Sequence, residues 1–529
     1  MKFLTGKGSN VMYVRNLRGW VFVLTLALAG CGSPDPPTEL GKGFEAIQPR
    51  TGVTGSAVRL ALSEDLRDPA EVSVRVGAET VETLTIPGPR TIVLRLPSCE
   101  PGLKSIDVLK GNSMIAQVKA GLLCAESGDE LGSKPNKSSG DSKKEGLGKK
   151  DPGPGSNWWM LHQDLQHTSN MRLQETMTPL EEKWKRTFPD VLLYTQVIKG
   201  EGKLLAGLFG NGEENLVALD PTTGNVQWTF LKTIPPSTVS STPVAIHGNV
   251  YFVEGYGPPA KLHAVDISSG AVVWTEDLPA WTQSSLASAF GFVYVLTRTG
   301  SLRCHNASTG ALVWEQSVNV GSGQTMSSPA IGFGNVYVGT EDGLRVFDAI
   351  SGTPKWSGPG PHNGNASPVI VTDVGVGNPA VVAIGSTDTK LRAYQAVTGA
   401  ALWEFDGNLD LWYTTPATAN GKLYLRQNRT IVELDAVTGN QTSVSPDLGA
   451  RTATAPTING DQLFVITEDD KLHALSLTDL SVVQTLNINA RPGGENGQPS
   501  TESGWLYFQA HWSDPYPAIS NTIYGYAKE

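Results

Sequence analysis

The sequence predicts an all-β chain: an eight-bladed β-propeller of four-stranded blades, preceded by a small β-sandwich. Three observations predict it. A phrase of the form Ala-x-Asp, then Thr/Ser-Gly, then Trp four residues after the Gly recurs along the second two-thirds of the chain. Between its copies, short segments alternate apolar and polar residues, the period of a half-buried strand. The 529 residues also include 58 Gly and 34 Pro, with little helical periodicity after residue 40, as expected of a chain with many tight turns.

The clearest copies carry Asp220, Gly224 and Trp228, then Asp266, Gly270 and Trp274. Weaker copies end in Gly310/Trp314, Gly352/Trp356 and Gly399/Trp403. The Trp residues are spaced by 46, 40, 42 and 47 positions, the length of one small β unit in a circular or stacked array. Each unit reads as four strands. A Ser/Thr-x-Pro-like segment such as Ser241-Thr242-Pro243 enters the first. Val250-Tyr251-Phe252 marks the second. The Ala-x-Asp segment is the third and the Trp segment the fourth.

The third-strand position is held in turn by Ala218, Ala264, Cys304, Val346, Ala393, Glu433, Ala474 and Gly525. The Trp position is held by Trp184, Trp228, Trp274, Trp314, Trp356, Trp403, Ser443 and Gln484. The two series are offset by one. Closure therefore brings the strand around Trp184 into the last unit as its outer strand, which removes the unpaired edges of an open array. Seven blades are the fallback if the last unit is irregular. The phrase explains its own residues as architecture. Gly permits a positive φ in the turn, Asp accepts the turn's amides, and Trp packs between blades with its indole N–H on an acceptor.

The N-terminus reads as a targeting segment, residues 1–30. Lys2, Lys7, Arg15 and Arg18 precede an apolar stretch from Trp20 to Gly30. Leu28-Ala29-Gly30-Cys31 resembles the bacterial lipobox, which implies acylation of Cys31 and anchoring in a membrane. Gly32 follows in place of the Asp of the enteric inner-membrane retention signal. The outer membrane of a bacterial envelope, on its periplasmic face or at the cell surface, is therefore expected. Residues 31–40 are a Pro-rich tether. Residues 41–125 are a string of alternating short strands, a β-sandwich. Cys99 and Cys124 lie near strand ends in this unit, and a disulfide between them is expected in an oxidising compartment. Residues 126–155 are low in complexity and form a flexible linker. Residues 156–529 are the propeller, whose lone cysteine, Cys304, is read as a buried core thiol.

Within 41–125, the opening Ile47-Gln48-Pro49-Arg50-Thr51-Gly52, Val72–Gly77 and Pro101-Gly102 resemble an IPT/TIG-type immunoglobulin-like domain. The later phrase, together with Asn157-Trp158-Trp159-Met160-Leu161-His162-Gln163-Asp164-Leu165-Gln166-His167-Thr168, resembles secreted proteins of the pyrroloquinoline-quinone-like propeller type. That resemblance implies one of two lives. One branch comprises quinone-dependent dehydrogenases of alcohols or sugars, which use adjacent cysteines, a calcium and a catalytic Asp. The other comprises non-enzymatic lipoproteins, including one of the outer-membrane β-barrel assembly machine.

The first branch needs residues that this sequence does not show by motif. The propeller segment has one cysteine, and its eight histidines lack metal-ligand spacing. No catalytic residue, metal or cofactor is expected. A net charge of −10 argues against nucleic acid. The expectation is a monomer that binds a protein partner of the envelope, with glycan binding as an alternative. The connections from each outer strand to the next inner strand gather on one face and hold the candidate binding residues Tyr194, Trp281, Met326, Asn365, Trp412, Tyr413, Arg451 and Glu495. The irregular insertion at Trp512 and Tyr516 adds a second candidate group.

Overall fold

The structure is a computed structural model. It describes strands Met12–Arg15 and Val21–Leu24, strand segments between residues 44 and 124, and residues 160–529 apart from loop stretches. Those stretches include 193–194, 322–326, 361–365, 411–414, 491–497 and 513–519. Cys31 and Cys99 lie outside the described residues, as does the side chain of Cys124.

Residues 44–124 form two sheets. One holds Phe44–Gln48, Ala57–Leu62, Thr91–Arg95 and Leu84–Gly88 in that order. The other holds Thr51–Gly52, Ser113–Cys124, Gly102–Lys110, Val72–Val76 and Glu79–Thr80. Alternate residues of both sheets, among them Leu60, Ile92, Val74 and Ile106, share one buried cluster, so the sheets pack face to face.

Eight four-stranded antiparallel sheets follow. Blades 1 to 7 begin at Ile198, Val244, Ala287, Ala330, Val369, Ala417 and Thr457 and end at Leu231, Leu278, Ser317, Pro359, Asp406, Val444 and Asn487. Blade 8 takes three strands from 500–528 and its outer strand from Leu180–Pro189, so the first strand of the array completes the last sheet. The expected register holds in every blade. Ala218 faces Trp228, Ala264 faces Trp274, Cys304 faces Trp314, Val346 faces Trp356, Ala393 faces Trp403, Glu433 faces Ser443, Ala474 faces Gln484, and Gly525 faces Trp184.

Adjacent blades are joined by one repeated contact. At six of the eight blade junctions the outer-strand indole lies on the Gly of the next blade's turn: Trp184 on Gly224, Trp228 on Gly270, Trp274 on Gly310, Trp314 on Gly352, Trp356 on Gly399 and Trp403 on Gly439. A Cβ on any of these glycines would meet an indole carbon at 2.4–2.8 Å, and each has a φ between +68° and +81°. The residue must therefore be Gly for two reasons at once. Five of the indole N–H groups donate to the same turns, on Pro221, Ile267, Ala307, Ala349 and Ala436, at 2.9–3.1 Å. Trp356 keeps the stacking, but its buried Nε1 has no acceptor. In the turns of blades 1, 2, 4 and 6 an Asp carboxylate accepts two amides, as Asp266 does from Ser268 and Ser269 at 3.0 Å. The Ser268 and Ser269 hydroxyls, and after them these amides, hold the Asp266 carboxyl below its ordinary range.

The Ser/Thr ahead of each inner strand has a role too. The amide of Gln196 donates to the Thr242 hydroxyl, that of Thr242 to Ser285, that of Ser285 to Ser328 and that of Ser328 to Ser367, all at 3.0–3.1 Å. These bonds run from blade to blade around the axis. The axis itself is crossed by residues 160–171. Carbonyls of Leu165, Gln166, Thr168 and Ser169 accept from Ile331, Ile370, Thr418 and Ile458, the second residues of the inner strands of blades 4 to 7. The segment thus satisfies inner-strand amides that would otherwise face the channel unpaired. Asp164 closes its turn by accepting from the amides of Gln166 and Thr168 and from the Thr168 hydroxyl. His162, Gln163, His167 and Ser169 all take positive φ without being glycine, a strain held by these bonds.

His162 and His167 are fully buried in this segment, with ring centroids 5.4 Å apart. His162 Nδ1 meets the Ser169 hydroxyl, and His167 Nδ1 meets the Pro368 carbonyl. Burial pushes His167 down to about 4, against the Pro368 carbonyl that favours its charged form. Burial, and next the neighbouring His167, push His162 well below its ordinary range.

Two predictions follow from these contacts. Ala at Gly270 must accept φ +73° and a Cβ 2.8 Å from Trp228; the expected cost is about 2–4 kcal/mol, read as a lower urea midpoint. For pH, a group whose native pKa is depressed below its unfolded value of 6.5 destabilises as the medium acidifies. Below pH 6.5 the unfolded chain takes a proton that native His167 refuses until about 4. Propeller stability should fall by roughly 3 kcal/mol across that window, and His167→Gln should flatten the slope of urea midpoint against pH.

Candidate functional site

In a four-stranded blade, the connection leaving the outer strand and the turn between the second and third strands lie at the same end. The structure brings four such loops together at blades 1 to 3. Trp281 lies in the connection from blade 2 to blade 3. Tyr256 lies in the second-to-third turn of blade 2, and Arg298 in that of blade 3. Phe209 comes from blade 1, on the strand pair Val191–Leu192 and Phe209–Gly210.

These four side chains form a row. The Arg298 guanidinium carbon sits 4.7 Å over the Trp281 ring, a cation–π contact. The Trp281 ring is 4.5 Å from Tyr256, and Tyr256 meets Phe209 edge-on at 5.1 Å. Trp281 and Arg298 are half-buried, and Tyr256 is 57% exposed. Tyr256 is displayed by Gly255 (φ +146°) and Gly257 (φ +123°), backbone states closed to most side chains. The Arg298 amide donates to the Trp281 carbonyl and the Gly255 amide to Thr238, at 2.9 Å each, so the turns are fastened to the connections beside them.

The row rests on a buried anchor. Glu254, the last residue of its strand, is fully buried. Its carboxylate accepts from the Asn215 side chain at 2.7 Å, the Thr233 amide at 2.7 Å, the Ile234 amide at 3.1 Å and the Thr233 hydroxyl. His263 Nε2 lies 2.8 Å away, and its Nδ1 meets Thr275. A buried carboxylate with this many donors fixes the start of the Tyr256 loop and the exit of blade 1 together. His473 has the same place in blade 7, with Thr485 and Thr467 as partners. His305 is two positions further along its strand, opposite Leu312, with Nδ1 on the Gly310 carbonyl.

Of the candidates from sequence, Trp281 falls in the row. Arg451 occupies the equivalent connection of blade 7; it is exposed, and its carbonyl accepts from the Glu468 amide at 2.8 Å. Tyr194, Met326, Asn365, Trp412, Tyr413, Glu495 and Tyr516 lie outside the described residues. Trp512 ends the strand Trp505–Trp512 opposite Ser520, and its side chain is likewise outside them. Sequence reasoning missed Tyr256 and Arg298 because it searched only one of the two loop sets at this end. The signal was present in Gly255-Tyr256-Gly257-Pro258-Pro259, which lengthens blade 2 and accounts for part of the longer 46-residue step.

A family model described as "Outer membrane protein assembly factor BamB" matches residues 212–370, 260–406 and 370–511, together spanning 212–511, or 300 of 529 residues. The chain belongs to this family. Among solved structures, BamB from Moraxella catarrhalis is 16% identical, with a TM-score of 0.49 over 65% of this chain and 97% of that one. The quinohemoprotein alcohol dehydrogenase of Comamonas testosteroni is 12% identical, with a TM-score of 0.57 over 71% of this chain and 81% of that one. The latter likeness shows the propeller fold. The serine/threonine-protein kinase AfsK of Streptomyces coelicolor is 34% identical over 102 residues, 18% of this chain and 12% of the kinase, so the chain spans about an eighth of that relative.

Among the described residues, the adjacent cysteines of the dehydrogenase branch are not found. Cys304 is fully buried in blade 3 and its thiol is pushed well up by burial, with no second cysteine beside it. Among the described residues no three His, Cys, Asp or Glu side chains are grouped to hold a metal. The middle of the ring is taken by residues 160–171, whose groups are engaged with inner strands.

Proposed function

We propose that this family member is a lipid-anchored, non-catalytic scaffold of the bacterial cell envelope, and that the loop-bearing end of its propeller binds a protein partner during outer-membrane or surface assembly. The observation that carries the reading is the row of Phe209, Tyr256, Trp281 and Arg298, partly exposed on loops fastened to rigid blades. Aromatic and arginine side chains clustered on a firm surface are the composition of interface hot spots. The family's assembly-factor description supports the same direction. The 41–125 sandwich, with the tether and linker on either side, would hold the propeller away from the membrane.

Two experiments test the reading. Tagged protein isolated from detergent-solubilised envelope should recover a stoichiometric partner, and Trp412→Ala with Tyr413→Ala should lower that recovery at least tenfold. Failure to recover any partner from wild type contradicts the scaffold. Separately, Cys31→Ala should move the protein from the membrane fraction to the soluble fraction; unchanged membrane retention contradicts anchoring through that residue.

A further inference from the structure

We propose that the row at blades 1 to 3 is a docking groove for an extended, proline-containing, acidic peptide segment of a partner protein. The inference rests on the reading of this end of the propeller as the protein-binding end. Its argument is the hydrogen-bonding character of the row.

Five of the six interblade tryptophans spend their indole N–H on a neighbouring carbonyl. Trp281 does not. Its Nε1 makes no hydrogen bond among the described residues and is not one of the buried unpaired atoms, and the residue is half-buried. The Tyr256 hydroxyl also has no partner among the described residues, whereas Tyr251, Tyr294 and Tyr337 each donate to a backbone carbonyl. Arg298 lies over Trp281 and has no carboxylate partner among the described residues. The row therefore offers an indole N–H, a phenol O–H and a guanidinium, with apolar rings between them.

A surface rich in donors selects a ligand rich in acceptors. Proline lacks the backbone N–H, so a proline-containing segment presents carbonyls without competing donors. It is also already extended in the polyproline conformation, which lowers the entropy cost of docking against aromatic rings. The unpaired guanidinium at one end adds a preference for a carboxylate on the segment, and Arg can hold one in two parallel bonds. A glycan would need an open ring face for stacking. The Trp281 ring has Arg298 over it and Tyr256 beside it, which disfavours that occupant.

The test is a fluorescence-anisotropy titration of the full chain with labelled synthetic peptides: an acidic proline-rich one, its neutral counterpart and its lysine counterpart. The acidic peptide should bind most tightly. Tyr256→Ala should weaken it at least tenfold, with an unchanged urea midpoint because the side chain is exposed. Arg298→Glu should reverse the order of the acidic and lysine peptides. Absence of saturable binding, binding indifferent to Tyr256→Ala, or an order unchanged by Arg298→Glu overturns the proposal, as does preferential binding of a chito-oligosaccharide probe. The same two variants in the envelope pull-down separate the two levels. A partner recovered equally by wild type and variants overturns the groove and leaves the scaffold standing, whereas no partner with wild type removes the scaffold itself.

Discussion

Most of this molecule depends on the contact between a flat indole and a backbone that carries no side chain. Trp and Gly occur together at six of the eight blade junctions because each fits the space and backbone the other provides. The indole needs the space that a Cβ would fill, and the left-handed turn needs a residue free to adopt it. The exception proves the coupling. Blade 6 has Ser443 at the Trp position, and the next turn uses Leu480, at φ +58°, where other blades use Gly. Blade 7 has Gln484, whose side-chain amide instead bonds both the N–H and the carbonyl of Leu180. Trp184 carries the same contact from blade 8 to Gly224 of blade 1, so the ring closes by the interaction that builds it.

This is why the architecture was legible. A contact repeated around a ring leaves a repeated phrase, and the roles of Asp, Gly and Trp can be reasoned from turn chemistry and packing. The offset between the third-strand and Trp series predicted closure through Trp184, and the sheet of Leu180–Pro189 with 500–528 has that register. Legibility stopped where a residue acts only through distant partners. The Ser/Thr ahead of each inner strand was visible as a motif, yet its hydroxyl serves the neighbouring blade, about 40 residues away, in a ring that spacing alone does not reveal. The segment at 160–171 was recognisable as a family resemblance. Its service as the axial filler depends on the amides of four inner strands, which no local pattern encodes.

The candidate site was less legible for a related reason. Binding residues lie in loops, which do not repeat. Trp281 stood out as a lone aromatic in a connection, but Tyr256 and Arg298 occur in turns that differ in length between blades. What joins them is the antiparallel order of the blade, which brings two kinds of loop to one end. Glu254 then shows how a rigid core supports a variable surface: a buried carboxylate, with amides of the neighbouring segment and His263 around it, fixes the root of the exposed loop. Division of labour between a repetitive core and individual loops is the physical form of function grafted onto a fold.

The central claim is that the repeated phrase is architecture and that recognition resides in the loops between its copies. Hydrogen–deuterium exchange of the protein alone and with a partner recovered in the envelope pull-down tests this most directly. The account predicts slowed exchange in the loops around residues 209, 255–259, 281–283 and 298–299, with the Asp-Thr/Ser-Gly turns at the opposite end unchanged. Protection centred on the turns at 220–224, 266–270 or 306–310, with none at the loop-bearing end, would contradict it.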